Sequence, residues 1–125
     1  MNDDRFDMFL PKRKIGFLMP LPIIDNAAYQ FYRLMPEGVM AVMLPIGLHE
    51  FTQQDVERVF APLDEHLALL VERGVDIIVQ GGVPLPILMG LEFHDNLLSR
   101  IEKATGLPAT SNIKDVVAAA KSLGI

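Results

Sequence analysis

Apolar and polar residues fall into blocks along the chain, and the blocks predict strands that alternate with helices. The apolar runs at residues 15–19 and 39–44 each end at a proline-containing turn, as buried strands of a parallel sheet do. A third run, residues 75–79, follows Gly74, which is suited to end a helix. A short extended segment at residues 107–110 is the fourth predicted strand. Because residues 39–44 are apolar throughout, we expect that strand to be covered on both faces.

A helix is predicted between the first two strands. Asp25 or Asn26 can cap its first turn. Residues 27–34 then give the helix a face on which Tyr29 and Tyr32, three positions apart, lie together. A Pro-Glu-Gly sequence ends this helix.

The longest predicted helix follows the second strand. Thr52 and Asp55 form an approximate capping box, with Asp where Glu or Gln is usual. Pro62 lies within the helix and should kink or split it. Apolar residues recur at intervals of three and four and form one stripe: Val56, Val59, Phe60, Leu63, Leu67, Leu70 and Val71.

Two more helices are predicted after the third strand. The first carries Phe93, Leu97 and Ile101 on one face and ends at Gly106. Asn112 is expected to cap the second. The apolar face of this last helix consists of Ile113, Val116, Val117 and Ala120.

This order of elements predicts an α/β fold, a three-layer sandwich with a mainly parallel sheet of about four strands. The 125 residues, half of them hydrophobic, are enough for one globular domain and too few for two. Residues 1–13 show no periodicity and include Pro11, so we expect a loose N-terminal arm followed by a single domain at 14–125.

Composition excludes several classes of function. The net charge is −5 and no basic cluster exceeds residues 12–14, so we expect no nucleic-acid partner. The longest apolar runs are well short of the ~20 residues that span a bilayer, so we expect no membrane partner. The acidic N-terminus is unlike a signal peptide and favours a cytoplasmic location. The absence of cysteine rules out thiolate metal sites and thiol nucleophiles within this chain.

Ligands of open parallel sheets bind beyond the carboxyl ends of the strands. The loops at residues 20–24, 45–51, 80–86 and 110–112 are therefore the candidate site. The third loop is the most informative, because Gly81 and Gly82 allow positive φ and close approach of a ligand. Since prolines lack the N–H group, the amides left for an anion are those of Gly81, Gly82, Val83 and Leu85. The alternative is a turn that needs glycine for geometry alone.

Histidines offer weaker candidates. His49 follows the second strand, where either a binding role or an exposed position without function remains open. His66 and His94 are expected to face solvent. No His/Asp/Glu set has metal-ligand spacing, no serine has a nucleophile-elbow pattern, and no glycine motif is typical of nucleotide binding. We therefore predict no metal site and no catalytic residue.

Residues 74–125 resemble the end of the first half of the aspartate/glutamate/hydantoin racemase-like superfamily, especially its arylmalonate decarboxylase and maleate isomerase branch. The most characteristic segments are Ala-Thr-Gly-Leu-Pro-Ala at 104–109 and Ser-Leu-Gly-Ile at 122–125. Ile-Gly-Phe-Leu-Met-Pro at 15–20 resembles the first strand and the substrate-side turn of the superfamily.

The resemblance implies two flavodoxin-like halves, with a small carboxylate or dicarboxylate bound between them and no cofactor. Racemases and isomerases of the superfamily place one cysteine in each half, and the decarboxylase branch keeps only the second. The first-half position falls on Gly82, which matches the decarboxylase arrangement, and the hydroxyl residues that usually follow fall on Val83 and Pro84. The polar residue after the first-strand proline is replaced by Leu21, Pro22 and Ile23.

The candidate substrate-binding residues are Pro20, Leu21, Pro22, His49, Gln80, Gly81, Gly82, Val83 and Pro84. The predicted function is the first half of a cofactor-independent racemase, isomerase or decarboxylase. It would be inactive alone, because the nucleophile or proton donor would lie in the other half. Ile125 falls where the next strand of the superfamily starts. The alternative is a stand-alone, non-catalytic domain that self-associates or binds a small carboxylate. The expected partners are a small carboxylate and either further copies of the chain or a missing second half.

Overall fold

The computed structural model describes residues 9–125 and contains a four-stranded sheet in the order β2-β1-β3-β4, with every pair parallel. The strands are β1 (Arg13–Met19), β2 (Val39–Pro45), β3 (Ile77–Gln80) and β4 (Ala109–Ser111). The helices are α1 (Asn26–Leu34), α2 (Gln53–Phe60), α3 (Leu63–Glu72), α4 (Pro84–Met89), α5 (Leu91–Thr105) and α6 (Asn112–Ser122). The predicted α/β sandwich with a parallel sheet is confirmed.

The main core lies on one face of the sheet, under α2, α3 and α5. Leu18 and Ile78 of the two central strands are almost fully buried against the stripe predicted for the longest helix. Within that stripe only Val71 departs from the prediction, because 44% of it is exposed. On the other face, Phe31 of α1 packs edge-on against Phe17, with 5.6 Å between ring centroids.

Pro62 divides the long predicted helix into α2 and α3, as expected. Thr52 caps α2, since its side-chain oxygen accepts the N–H of Asp55 at 3.2 Å. The cap of α6 was predicted at the wrong residue. Ser111, rather than Asn112, accepts the N–H of Lys114, at 3.1 Å.

Residues 39–44 form a strand, as predicted, but its two faces are only partly covered. The sheet order places β2 at an edge, and none of residues 39–45 is fully buried. A continuous apolar run is therefore not restricted to the interior of this sheet.

A short helix, α4, follows the glycine turn and is separate from the predicted helix that carries Phe93. Pro84 and Pro86 suggest a loop by composition, yet both lie in the first turn, where backbone N–H groups have no partner within the helix. Gly90, with φ +89°, separates α4 from α5.

The chain becomes regular one residue earlier than the predicted domain start, because β1 begins at Arg13. The N–H of Lys12 also donates to the carbonyl of Gly38, at 2.8 Å. Residues 1–8 of the predicted arm lie outside the described residues. Across residues 9–125, no helix has the length and apolar character needed to cross a bilayer.

Candidate functional site

A mostly apolar pocket of about 170 Å³ opens at the carboxyl end of β1, where the turn after β3 approaches it. We name it the edge pocket. Its volume is below the roughly 300–1,000 Å³ of complete ligand sites, so it can hold a small group. It is lined by Met19, Pro20, Leu21, Ile23, Ile24, Asp25, Ala27, Phe51, Gly82 and Pro84.

Close packing between two strand ends explains the paired glycines. Gly82 has φ +88°, and a Cβ there would lie 2.8 Å from Cγ of Pro20. A Cβ on Gly81 would collide with the sulfur of Met19. The glycine turn is therefore needed to bring β3 against the Pro20 wall of the pocket.

The backbone amides of the glycine turn differ in whether they already donate a hydrogen bond within the fold. The N–H of Gly81, predicted to be available to a ligand, donates to the carbonyl of Leu18 at 2.8 Å. The N–H groups of Gly82 and Val83 have no hydrogen-bond partner within residues 9–125. Two adjacent donors thus remain beside the edge pocket.

The loop after β2 places Phe51 in the lining of the pocket, and hydrogen bonds from side chains of α2 hold the loop backbone in position. The carboxylate of Asp55 accepts the N–H groups of His49 and Glu50, each at 2.8 Å. The guanidinium of Arg58 donates to the carbonyl of Gly47 at 3.0 Å and to Asp55 at 2.6 Å. The loop is therefore fixed at several backbone positions.

These contacts also change the acidity of Asp55. The hydrogen bond from the Glu50 N–H is the largest influence lowering its pKa, and Arg58 and the His49 N–H act in the same direction. Partial desolvation opposes them. The net effect is a pKa below the ordinary carboxyl value.

His94 was expected to face solvent, and this prediction is wrong. Only 5% of it is exposed, with Nε2 2.6 Å from Oγ of Ser111 and Nδ1 2.9 Å from the carboxylate of Asp95. His94 recurs with Leu97, Leu98 and Ile101 at helical spacing, which was the available signal. His66 is likewise half-buried rather than exposed.

Asp95, His94 and Ser111 are hydrogen-bonded in the order of an acid–base–nucleophile array, but a substrate has no access to the Ser111 hydroxyl. Ser111 is fully buried and its hydroxyl also caps α6. Because a nucleophile must reach its substrate, we interpret the array as a structural link between α5 and β4.

Gln80 occupies a similar buried position at the end of β3. Its side-chain amide donates to the carbonyl of Gly81, and only 1% of the residue is exposed. Its Oε1 has no hydrogen-bond partner in the part of the chain that the structure describes.

The structure brings together part of the predicted site. Pro20, Leu21, Gly82 and Pro84 line the edge pocket, whereas Pro22, His49, Gln80, Gly81 and Val83 do not. The candidate list missed six lining residues: Met19, Ile23, Ile24, Asp25, Ala27 and Phe51. Phe51 lay in a loop already singled out at the strand ends, but only the fold reveals which loop residues meet.

The pocket is equipped for binding rather than for bond breaking. Among residues 9–125, Asp25 is its only ionisable lining residue, and its carboxylate accepts the N–H of Asn26 at 2.5 Å. In residues 9–125 there is no cluster of three potential metal-ligating side chains. The arrangement offers an apolar wall and two backbone donors.

A family model described as arylmalonate decarboxylase matches residues 22–125. This chain belongs to the arylmalonate decarboxylase family. The match includes the edge-pocket residues from Ile23 onward and the glycine turn. Comparison with curated protein sequences gave no significant match.

Solved structures support the family fold. A cysteine-exchange mutant of arylmalonate decarboxylase in the liganded form is 22% identical, with a TM-score of 0.74, covering 91% of this chain and 48% of that one. Unliganded arylmalonate decarboxylase is 23% identical, with a TM-score of 0.71 and coverage of 90% and 47%. A cysteine-to-alanine variant of maleate isomerase from Pseudomonas putida S16, with maleate, is 16% identical, with a TM-score of 0.71 and coverage of 90% and 49%.

These likenesses establish the flavodoxin-like fold, as the sequence resemblance implied. The chain spans about half the length of the solved structures it matches. The family and its neighbours agree with the predicted relationship to the first half of the racemase-like superfamily.

Proposed function

We propose that this chain is the first half of a cofactor-independent enzyme of the arylmalonate decarboxylase family that acts on a small carboxylate or dicarboxylate. The observation that carries this proposal is the pair of adjacent N–H groups, on Gly82 of the pocket lining and on Val83 next to it, that have no hydrogen-bond partner among residues 9–125. Two adjacent backbone donors suit a carboxylate, which accepts charge-assisted hydrogen bonds.

We infer separate positions in the pocket for the carboxylate and for the uncharged part of such a ligand. The carboxylate of Asp25 repels an anion, so the carboxylate of the ligand lies toward Gly82. The apolar wall formed by Leu21, Ile23 and Phe51 then takes an uncharged substituent, because burying a charge there would be costly.

The reacting groups would come from outside this segment. The chain has no cysteine, and among the pocket residues that the structure describes only Asp25 is ionisable. A proton donor or nucleophile supplied by a second half accords with the doubled length of the matched structures. The 125-residue chain alone should therefore bind without turnover.

Titration followed by ¹⁵N–¹H spectra tests this binding role. Malonate and maleate should shift the amide signals of Gly82 and Val83, whereas uncharged malonamide should not. Gly82→Ala should abolish the shifts, because the new Cβ meets Pro20. Gly90→Ala is the matched control, since Gly90 has nearly the same φ and nothing within 4 Å of the added Cβ.

Equal shifts with malonamide, or no shift at these two amides with either diacid, would contradict carboxylate binding. Measurable turnover by the isolated chain would contradict the assignment of the reacting groups to a second half.

A second candidate function is a non-catalytic domain that self-associates. It is favoured by the exposed face of α6, where Val116 is 62% and Val117 48% exposed. Exposed apolar faces of this kind mark association surfaces. Under this hypothesis a diacid would stabilise an assembly rather than serve as a substrate.

A further inference from the structure

Strand β2 combines two properties that favour pairing between molecules. Among residues 9–125 it is the outermost strand of the sheet, and edge strands present backbone groups that can template another strand. Residues 39–44 are all apolar and contain neither charge nor proline, which is the composition of self-pairing segments.

The hydrogen bonds identify which backbone groups of β2 point outward. The carbonyl of Gly38 accepts from Lys12, and the N–H of Ile46 donates to Met19 at 2.8 Å. Even-numbered residues therefore face β1, and the intervening odd-numbered residues face away from it. The outer edge consists of the backbone groups of Val39, Ala41, Met43 and Pro45.

Most donors of the outer edge are already occupied or missing. The N–H of Val39 donates to the carbonyl of Pro36 at 3.4 Å, and Pro45 has no N–H. The N–H of Ala41 donates to the hydroxyl oxygen of Tyr32 at 3.0 Å, and that hydroxyl lies 3.4 Å from the Ala41 carbonyl. Within residues 9–125, Met43 alone keeps an outward N–H without a partner.

We propose that the Tyr32 hydroxyl, by its hydrogen bond with Ala41, prevents the outer edge of β2 from pairing with β2 of a second copy of this chain. The position of Ala41 explains this role. At one end of the outer edge the Val39 N–H already has a partner, and at the other end Pro45 has no N–H. Loss of the Tyr32 hydrogen bond would therefore leave two consecutive outward N–H groups, those of Ala41 and Met43, available to another strand.

A second copy is the occupant that fits such an edge. Two β2 strands can pair antiparallel about a twofold axis, and their uncharged residues introduce no repulsion. Tyr32 is 53% exposed, so its side chain can leave Ala41 without disturbing the core.

The test compares Tyr32→Phe with Tyr29→Phe, the other tyrosine of α1, which is 68% exposed and makes no hydrogen bond through its hydroxyl to any described residue. Light scattering across a concentration series should show a rise toward doubled mass for Tyr32→Phe over the unmodified chain. Tyr29→Phe should match the unmodified chain. Adding Met40→Lys to Tyr32→Phe should reverse the rise, because it introduces a charge on the exposed edge strand.

Hydrogen exchange supplies a second measurement. In the unmodified chain the Ala41 amide should exchange more slowly than the Met43 amide, and in Tyr32→Phe, at a concentration where light scattering shows the monomer, it should exchange about two- to tenfold faster than before. Equal rates at Ala41 and Met43 in the unmodified chain would overturn the proposal. So would equal masses for the two tyrosine variants, or a rise in mass that Met40→Lys leaves unchanged.

Discussion

At the scale of single residues, Gly82 separates the cost of backbone conformation from the cost of packing. Gly82 and Gly90 have φ values of +88° and +89°. A Cβ at Gly82 meets Pro20, whereas a Cβ at Gly90 meets nothing within 4 Å. Both positions favour glycine for its backbone freedom, but only Gly82 also needs it for space.

We predict that Gly90→Ala lowers the free energy of unfolding by about 1–3 kcal/mol through positive-φ backbone strain alone. Gly82→Ala should cost about 1–3 kcal/mol more, because overpacking against Pro20 is added. Urea unfolding of both variants measures the difference. Equal losses would mean that the Pro20 ring moves away freely.

The structural role of a residue was predictable from the sequence where that residue alone determines the local backbone. It was not predictable where the role depends on contacts with residues far away in the chain. Pro62 has a fixed effect on a helix, and it divides α2 from α3 as expected. His94 has no fixed effect, and its burial depends on meeting Ser111, 17 positions away in the chain. Only the fold brings those two side chains together.

At the scale of elements, α2 and the loop before it form one unit. Asp55 binds the N–H groups of His49 and Glu50, and Arg58 binds the carbonyl of Gly47. The charge of Asp55 therefore contributes to the stability of the unit, and this contribution depends on pH.

Because the folded-state pKa of Asp55 is lowered, its contribution is complete above the ordinary carboxyl pKa of about 3.9. The contribution is lost as pH falls through the lowered folded value. We predict that Asp55→Asn lowers the melting temperature by several degrees at pH 7, and that its difference from the unmodified chain shrinks below about pH 4.

Thermal melts of Asp55→Asn between pH 2 and 7 test this, with Glu57→Gln as the control on the same helix. The side chain of Glu57 accepts only the Gln53 amide among the described residues. A constant difference across the pH range would contradict the role assigned to the Asp55 charge.

Strand order was less predictable than strand identity. The four strands were recognisable from their apolar runs, yet the same type of apolar run occurs in the central strand β1 and in the edge strand β2. Edge position depends on which strands pair, and this information is distributed over the whole chain. The edge pocket shows the same limit, since its loops were predictable and its set of lining residues was not.

At the scale of the whole molecule, apolar surface remains uncovered. Ile87 of α4 is 72% exposed, and Val116 and Val117 of α6 are 62% and 48% exposed. The matched structures are about twice as long as this chain. This exposed apolar surface supports both proposed functions, each of which includes association with a second half or with further copies.

We predict that the average mass of the chain rises with concentration in light scattering, and that Val116→Lys with Val117→Glu reduces the rise while leaving the helical content unchanged. Leu69→Lys is the control, because Leu69 is 51% exposed on the separate helix α3. A single monomeric mass at high concentration would contradict self-association through α6.

The fixed loop after β2 has a kinetic consequence for the edge pocket. Its backbone is held at Gly47, His49 and Glu50, whereas the side chain of Phe51 is half exposed. Rotation of the Phe51 ring, which takes picoseconds to nanoseconds, can therefore widen the pocket without opening of this loop. Small ligands should associate at rates limited by diffusion, with no lag from a conformational step.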